Sequence, residues 1–115
     1  MLFFKNSKHN INVLKEIHPL YESSFPEDEK VPYFILKQQA KKPLSDIIGV
    51  YDDNEFVGFV ILVFDHDIVF LWYLAICEEK RNHGYGSRIL QTINDLYKDK
   101  RIILNVEEVT NNEQL

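Results

Sequence analysis

The chain has 115 residues, 45% of them hydrophobic, and a formal net charge of −5. That length suits one globular domain spanning residues 1–115 and excludes two. The acidic balance argues against nucleic acid as a partner, because phosphate backbones are held by clustered cations; Lys41 with Lys42, and Lys98 with Lys100 and Arg101, read as solvated loop residues.

The first five residues lack a charged leader followed by a long apolar region, so no signal peptide is expected. Leu2 to Phe4 suit a short first strand. Ile11, Leu14, Ile17, Tyr21 and Phe25 recur at helical spacing and predict a helix over 10–24, stopped by Pro26. Glu27, Asp28, Glu29 and Lys30 then form an acidic loop, and Pro32 at an early helical position opens a second helix over 31–41, closed by Pro43.

From Ile47 the period becomes that of strands. Segments 47–51 and 56–64 flank Asp52, Asp53, Asn54 and Glu55, a turn by composition, and so predict a hairpin. Asp65, His66 and Asp67 make a second turn; three adjacent residues in a hairpin do not converge on one ion, so no metal is expected. Residues 68–77 form an unbroken apolar run, β-branched and aromatic, which suits a strand buried on both faces and is far too short for a membrane span. It ends at Cys77, the only cysteine, which rules out an internal disulfide and reads as a small buried hydrophobe; a cytoplasmic protein is expected.

A charged spacer follows, then Arg81, Asn82, His83, Gly84, Tyr85, Gly86 and Ser87, and then an amphipathic helix carrying Ile89, Leu90, Ile93, Leu96 and Tyr97 on one side. Two glycines therefore stand where a helix begins after a strand. Unpaired N–H groups and the positive end of the helix dipole face outward there, an arrangement suited to a phosphate or pyrophosphate. The turn lacks the third glycine of a dinucleotide fingerprint, since Ile89 stands in its place, and the Lys-Ser/Thr pair of a P-loop. After the helix, 101–106 form a strand parallel to the apolar one, and 110–113 carry a helix-start signal.

The order strand, two helices, three antiparallel strands, glycine turn, helix, strand resembles the GNAT superfamily of acetyl-CoA-dependent N-acetyltransferases. The turn matches that family's signature at Arg81, Gly84 and Gly86. The resemblance covers essentially the whole chain. It implies an α/β (α+β) fold with a mixed, mainly antiparallel sheet flanked by helices, and acetyl-CoA as co-substrate with a primary amine as acceptor. It further implies that Arg81, Asn82, His83, Gly84, Tyr85, Gly86 and Ser87 surround the CoA diphosphate. A bulge in the apolar strand would let Leu74, Ala75 and Ile76 present backbone groups to the pantetheine arm and the acetyl carbonyl. For acid–base chemistry the sequence offers only two weak candidates, Tyr73 and Glu107, each with an ordinary structural alternative as core aromatic and strand-end carboxylate. The acidic residues Glu22, Glu27, Asp28 and Glu29 would lie on the acceptor side and draw in a cation.

Family members usually continue past this point with a fourth helix and two more strands, so a C-terminally incomplete fold is expected. Its last strand would be an exposed edge that favours a homo-oligomer, with slow turnover or none. The rival readings are a non-catalytic acyl-CoA-binding module and an inactive fragment of an acetyltransferase.

Overall fold

A computed structural model describes residues 1–104; Glu107, the end of the predicted last strand and the 110–113 helix signal lie outside the described residues. Five strands form one sheet in the order β1 (Leu2–Asn6), β2 (Ser45–Asp52), β3 (Glu55–Asp65), β4 (Ile68–Ile76), β5 (Arg101–Leu104). The first four are antiparallel neighbours, and β5 runs parallel to β4. Helices α1 (Asn12–Ser24) and α2 (Tyr33–Gln39) lie between β1 and β2 in sequence, and α3 (Tyr85–Leu96) makes the crossover from β4 to β5. This is the mixed, mainly antiparallel sheet with flanking helices that the sequence predicts.

Several boundaries shift for local reasons. The second helix is shorter than the predicted 31–41: it begins at Tyr33, because Pro32 is its extended N-cap with ψ 149°, and Lys30 upstream is extended too. Pro19 stands inside α1 without ending it, because Val13, Ile17, Leu20 and Tyr21 around it are buried; the helix forgoes one backbone bond there. Between β2 and β3 the turn puts both Asp53 (φ 54°) and Asn54 (φ 70°) in the left-handed region, the signature of a two-residue hairpin turn matched to strand twist.

Both faces of the sheet are covered. Ile47, Phe59, Ile61, Tyr73 and Ala75 pack with Val13, Ile17, Tyr21, Phe25 and Leu36 on the side of α1 and α2. Val50, Val60, Leu62, Val69, Leu71, Leu74 and Ile76 pack with Ile89 and Ile93 of α3 on the other. The strand β4 changes phase midway: Val69 and Leu71 face α3, whereas Tyr73 and Ala75 face α1. The register explains it, since Ile61 opposes Tyr73 while Leu62 opposes Leu71, leaving Trp72 as an extra residue. This is a β-bulge, and it lies in the strand for which the resemblance implies one. Pairing with β5 is described from Ile68↔Arg101 to Leu71↔Leu104, the last described residue.

Tight spacing between β3 and β4 requires a residue without a side chain at position 58. A Cβ there would lie 2.4 Å from the Ala75 carbonyl oxygen, whereas one at Gly86 meets nothing within 4 Å. Gly58→Ala is therefore expected to cost about 1–3 kcal/mol by forcing the strands apart. Gly86→Ala, near the start of α3, should be neutral or stabilising by about 0.4–1 kcal/mol. Urea unfolding of the two variants beside the parent protein checks this; equal stabilities would refute the close-approach argument.

Candidate functional site

The site is built where β4 hands the chain to α3. After Ile76 the chain makes a 3-10 turn over Glu78–Lys80, closed by Lys80 N–H donating to the Cys77 carbonyl at 2.8 Å. Asn82 (φ 67°) and Gly84 (φ 79°) both then adopt left-handed conformations, which swing the chain about to start α3. Gly84 caps the helix with no side-chain hydrogen bond to its first turn. The first bond found there is Arg88 N–H to the Gly84 carbonyl at 3.1 Å, so among the described residues the amides of Tyr85, Gly86 and Ser87 have no acceptor. No protein atom outside the immediate chain comes within 4 Å of where a Cβ at Gly84 or Gly86 would be. Bare amides, open space and the positive end of a helix with twelve residues together form an anion-binding concavity.

The predicted site residues divide by what they touch. Arg81 does not simply lend a charge at the rim: its Nε–H donates to the Ile76 carbonyl at 3.1 Å, tying the loop back onto the end of β4. His83 donates through Nδ1 to the Lys80 carbonyl at 3.0 Å and is otherwise exposed. Tyr85 reaches across to β2, donating to Asp52 Oδ2 at 2.7 Å, with Arg88 5.2 Å above its ring. Asn82 and Ser87 are exposed at the loop surface. Leu74, Ala75 and Ile76 bury their side chains in the two cores, which leaves only their backbone available to a ligand. On the side toward β5, no described strand pairs with that stretch.

Tyr73 is apart from this cluster. Its ring lies on the α1 face, edge-on to Tyr21 at 5.5 Å and to Phe25 at 4.8 Å. Burial, and then Tyr73 itself, push the Tyr21 hydroxyl far above the ordinary tyrosine range, while Tyr21 donates to the Val31 carbonyl at 2.7 Å. Glu107, the other catalytic candidate, lies outside the described residues. Within the acidic loop one cation is shared by two carboxylates: Lys30 pairs with Glu22 at 2.6 Å and with Glu27 at 3.5 Å. Cys77 sits beneath the loop with its thiol facing the Phe56 carbonyl, and burial raises its pKa. No group of three or more His, Cys, Asp or Glu residues able to hold a metal occurs among the described residues, and no described helix is long and apolar enough to cross a membrane.

The Asp52–Tyr85 bond was not foreseeable from sequence, since it joins residues from two separate turns. The family model for the GNAT acetyltransferases matches residues 14–114. The chain therefore belongs to the GNAT acetyltransferase family, whose general chemistry is acyl transfer. Solved structures share the fold. One is described as an acetyltransferase of this family from Bacteroides thetaiotaomicron (23% identity, 97% of this chain and 66% of that one, TM-score 0.78). Another is a ribosomal-protein-alanine N-acetyltransferase from Brucella melitensis biovar Abortus (15%, 99% and 86%, TM-score 0.73). A third is an aminoglycoside acetyltransferase from an uncultured soil metagenomic sample, in complex with sisomicin (13%, 98% and 82%, TM-score 0.72). The present chain thus spans just under two thirds of the Bacteroides protein. A search of curated proteins found no match.

The Tyr85 hydroxyl is raised chiefly by its bond to Asp52, and the Asp52 carboxyl is lowered chiefly by the same bond. A carboxyl lowered in the fold contributes stability that is full above its ordinary value of 3.8 and is lost as pH falls through the depressed value. Tyr85→Phe should therefore be less stable than the parent at neutral pH, with the deficit closing below 3.8. Thermal melts from neutral pH down to about pH 2 measure this; a deficit independent of pH would show that the bond does not hold the start of α3.

Proposed function

We propose that this chain is an N-acetyltransferase domain that binds acetyl-CoA and transfers its acetyl group to a primary amine in the cytoplasm. The observation that carries the reading is the start of α3, where Gly84 and Gly86 leave three amides bare and the space in front of them open. A diphosphate is the group that such a concavity serves best, through donation from backbone N–H groups at short range. Arg81 is a positioning residue in this reading, because it fixes the loop on Ile76, and Tyr85 positions α3 through Asp52.

Beyond the bulge, the backbone of Leu74, Ala75 and Ile76 would receive the pantetheine arm and thioester. N–H groups fixed in a strand donate to the carbonyl oxygen as the amine adds, and hold the negative charge of the tetrahedral intermediate without reorganising. Collapse of that intermediate breaks the C–S bond and releases the thiolate, which takes up a proton, while the nitrogen loses one. The acceptor approaches from the α2 side, through a hollow of about 340 Å³ lined by Gln39, Val63, Phe70 and Trp72. That lining is apolar, so the hollow selects by shape more than by charge. Tyr73 and Glu107 stay candidates for proton transfer; the Tyr73 ring is packed among Tyr21 and Phe25.

A CoA titration and an acetyl-CoA turnover assay against a panel of amines test this together. Gly84→Val forces a β-branched residue into φ 79°, and Gly86→Val fills the open space without that backbone strain. Both are expected to weaken CoA binding at least about tenfold, which corresponds to about 1.4 kcal/mol. Unchanged affinity in folded variants removes the assignment of the diphosphate site. CoA binding with no turnover of any amine would favour the acyl-CoA-binding module instead.

A further inference from the structure

We propose that a second site, separate from the CoA loop, binds a small organic anion with a compact apolar body. A cavity of about 850 Å³ opens between the segment joining β1 to α1 and the outer side of α2. Its cations come from separate elements: Lys15 from α1, Lys37 from α2 and Lys41 just after it. None of the lining residues is Asp or Glu, although the protein as a whole carries a net charge of −5. Among the described residues Lys15, Lys37 and Lys41 have no carboxylate partner, unlike Lys8 at the same cavity, which is held by Asp46 and the Ser45 carbonyl. Three lysines lining one cavity without counter-charge raise the local positive potential, and an anion relieves it.

Ser7 lines the cavity at the end of β1, but its Oγ is closed off from solvent and takes no part in the site. The start of α1 adds little, because Asn10 already takes up the amides of Asn12 and Val13. Leu14 and Tyr33 supply the apolar wall. Tyr33 is fixed there, stacked on His18 at 3.6 Å and donating its hydroxyl to the Leu14 carbonyl at 3.1 Å, so the wall is preformed.

The site is not where acyl transfer takes place. The Ser7 backbone N–H donates to the Ile47 carbonyl, and Ile47 opposes Ile61, which opposes Tyr73. Three interstrand spacings of about 4.8 Å put Ser7 on the order of 14 Å from β4. An anion here therefore acts as an effector or as the distant part of a long acceptor, and the proposal stands apart from the acetyltransferase reading.

Phenyl phosphate, benzoate, inorganic phosphate and phenol are titrated into the full chain while backbone and side-chain NMR signals are followed. Saturable shifts at Lys15, Tyr33 and Lys37 are expected with phenyl phosphate or benzoate. Affinity should be at least tenfold above that of phosphate or phenol alone, and the tighter of the two names the anionic group. The double variant Lys37→Glu/Lys41→Glu and the single variant Lys15→Glu, all at exposed positions, should each weaken that binding about tenfold. CoA affinity on the same samples should not change, and Gly86→Val should lose CoA without losing the aryl anion. No saturable shift with either aryl anion, or equal affinity in the charge-reversed variants, overturns the proposal; loss of CoA binding or turnover alone overturns only the acetyltransferase reading.

Discussion

One extra residue in β4 decides which side chains meet on each face of the sheet. Up to Leu71 the strand sends its odd-numbered residues under α3; beyond Trp72 it sends them under α1. Without that shift Tyr73 and Ala75 would lie beneath α3, and the aromatic contacts by which Tyr21 and Phe25 seat α1 would have no partner. Packing on both faces of the sheet thus depends on a local surplus of a single residue.

The loop after β4 offers a ligand little side-chain chemistry. Its charged residues are spent on structure: Lys80 on Glu55 at 2.7 Å and Arg81 on Ile76. What is left for a ligand is backbone, held by two left-handed residues and anchored to β2 through Tyr85 and Asp52. Such a loop is stiff because strand ends and a helix fix it, and it tolerates change at His83 and Ser87 better than at Asn82 or Gly84, whose φ values are positive.

Much of this was legible in the chain itself. Helical spacing in 11–25, strand character from Ile47 onward and paired glycines before an amphipathic segment give the element order, because each reflects burial on a defined face. The bulge was legible only as a consequence of family resemblance. In a run such as residues 68–76 every position is apolar, so there is no alternation whose break would reveal Trp72. The short second helix was misjudged because Pro32 suits both the first helical position and the cap before it. Arg81, Glu22 and Tyr85 were read as ligand or steering residues because the sequence gives their charge or hydroxyl but not their partners, which lie 5, 8 and 33 positions away. The cations around the large cavity escaped notice for a related reason: they belong to three segments, and only folding brings them together.

The pairing of β1 with β2 has a bearing on how the protein assembles. The meander β2–β3–β4 is joined by tight turns, so its strands find each other at small entropic cost. Asn6, by contrast, pairs with Ile48 across the whole of α1 and α2, and Leu2 with Asp52 across more. Closing that long loop yields contacts late, and β1 is an edge with one neighbour. The meander is thus the early-forming unit and β1 the element that docks last and opens first. Slow hydrogen exchange should then be confined to β3 and β4, with β1 amides exchanging through a partial opening that leaves the rest of the sheet intact.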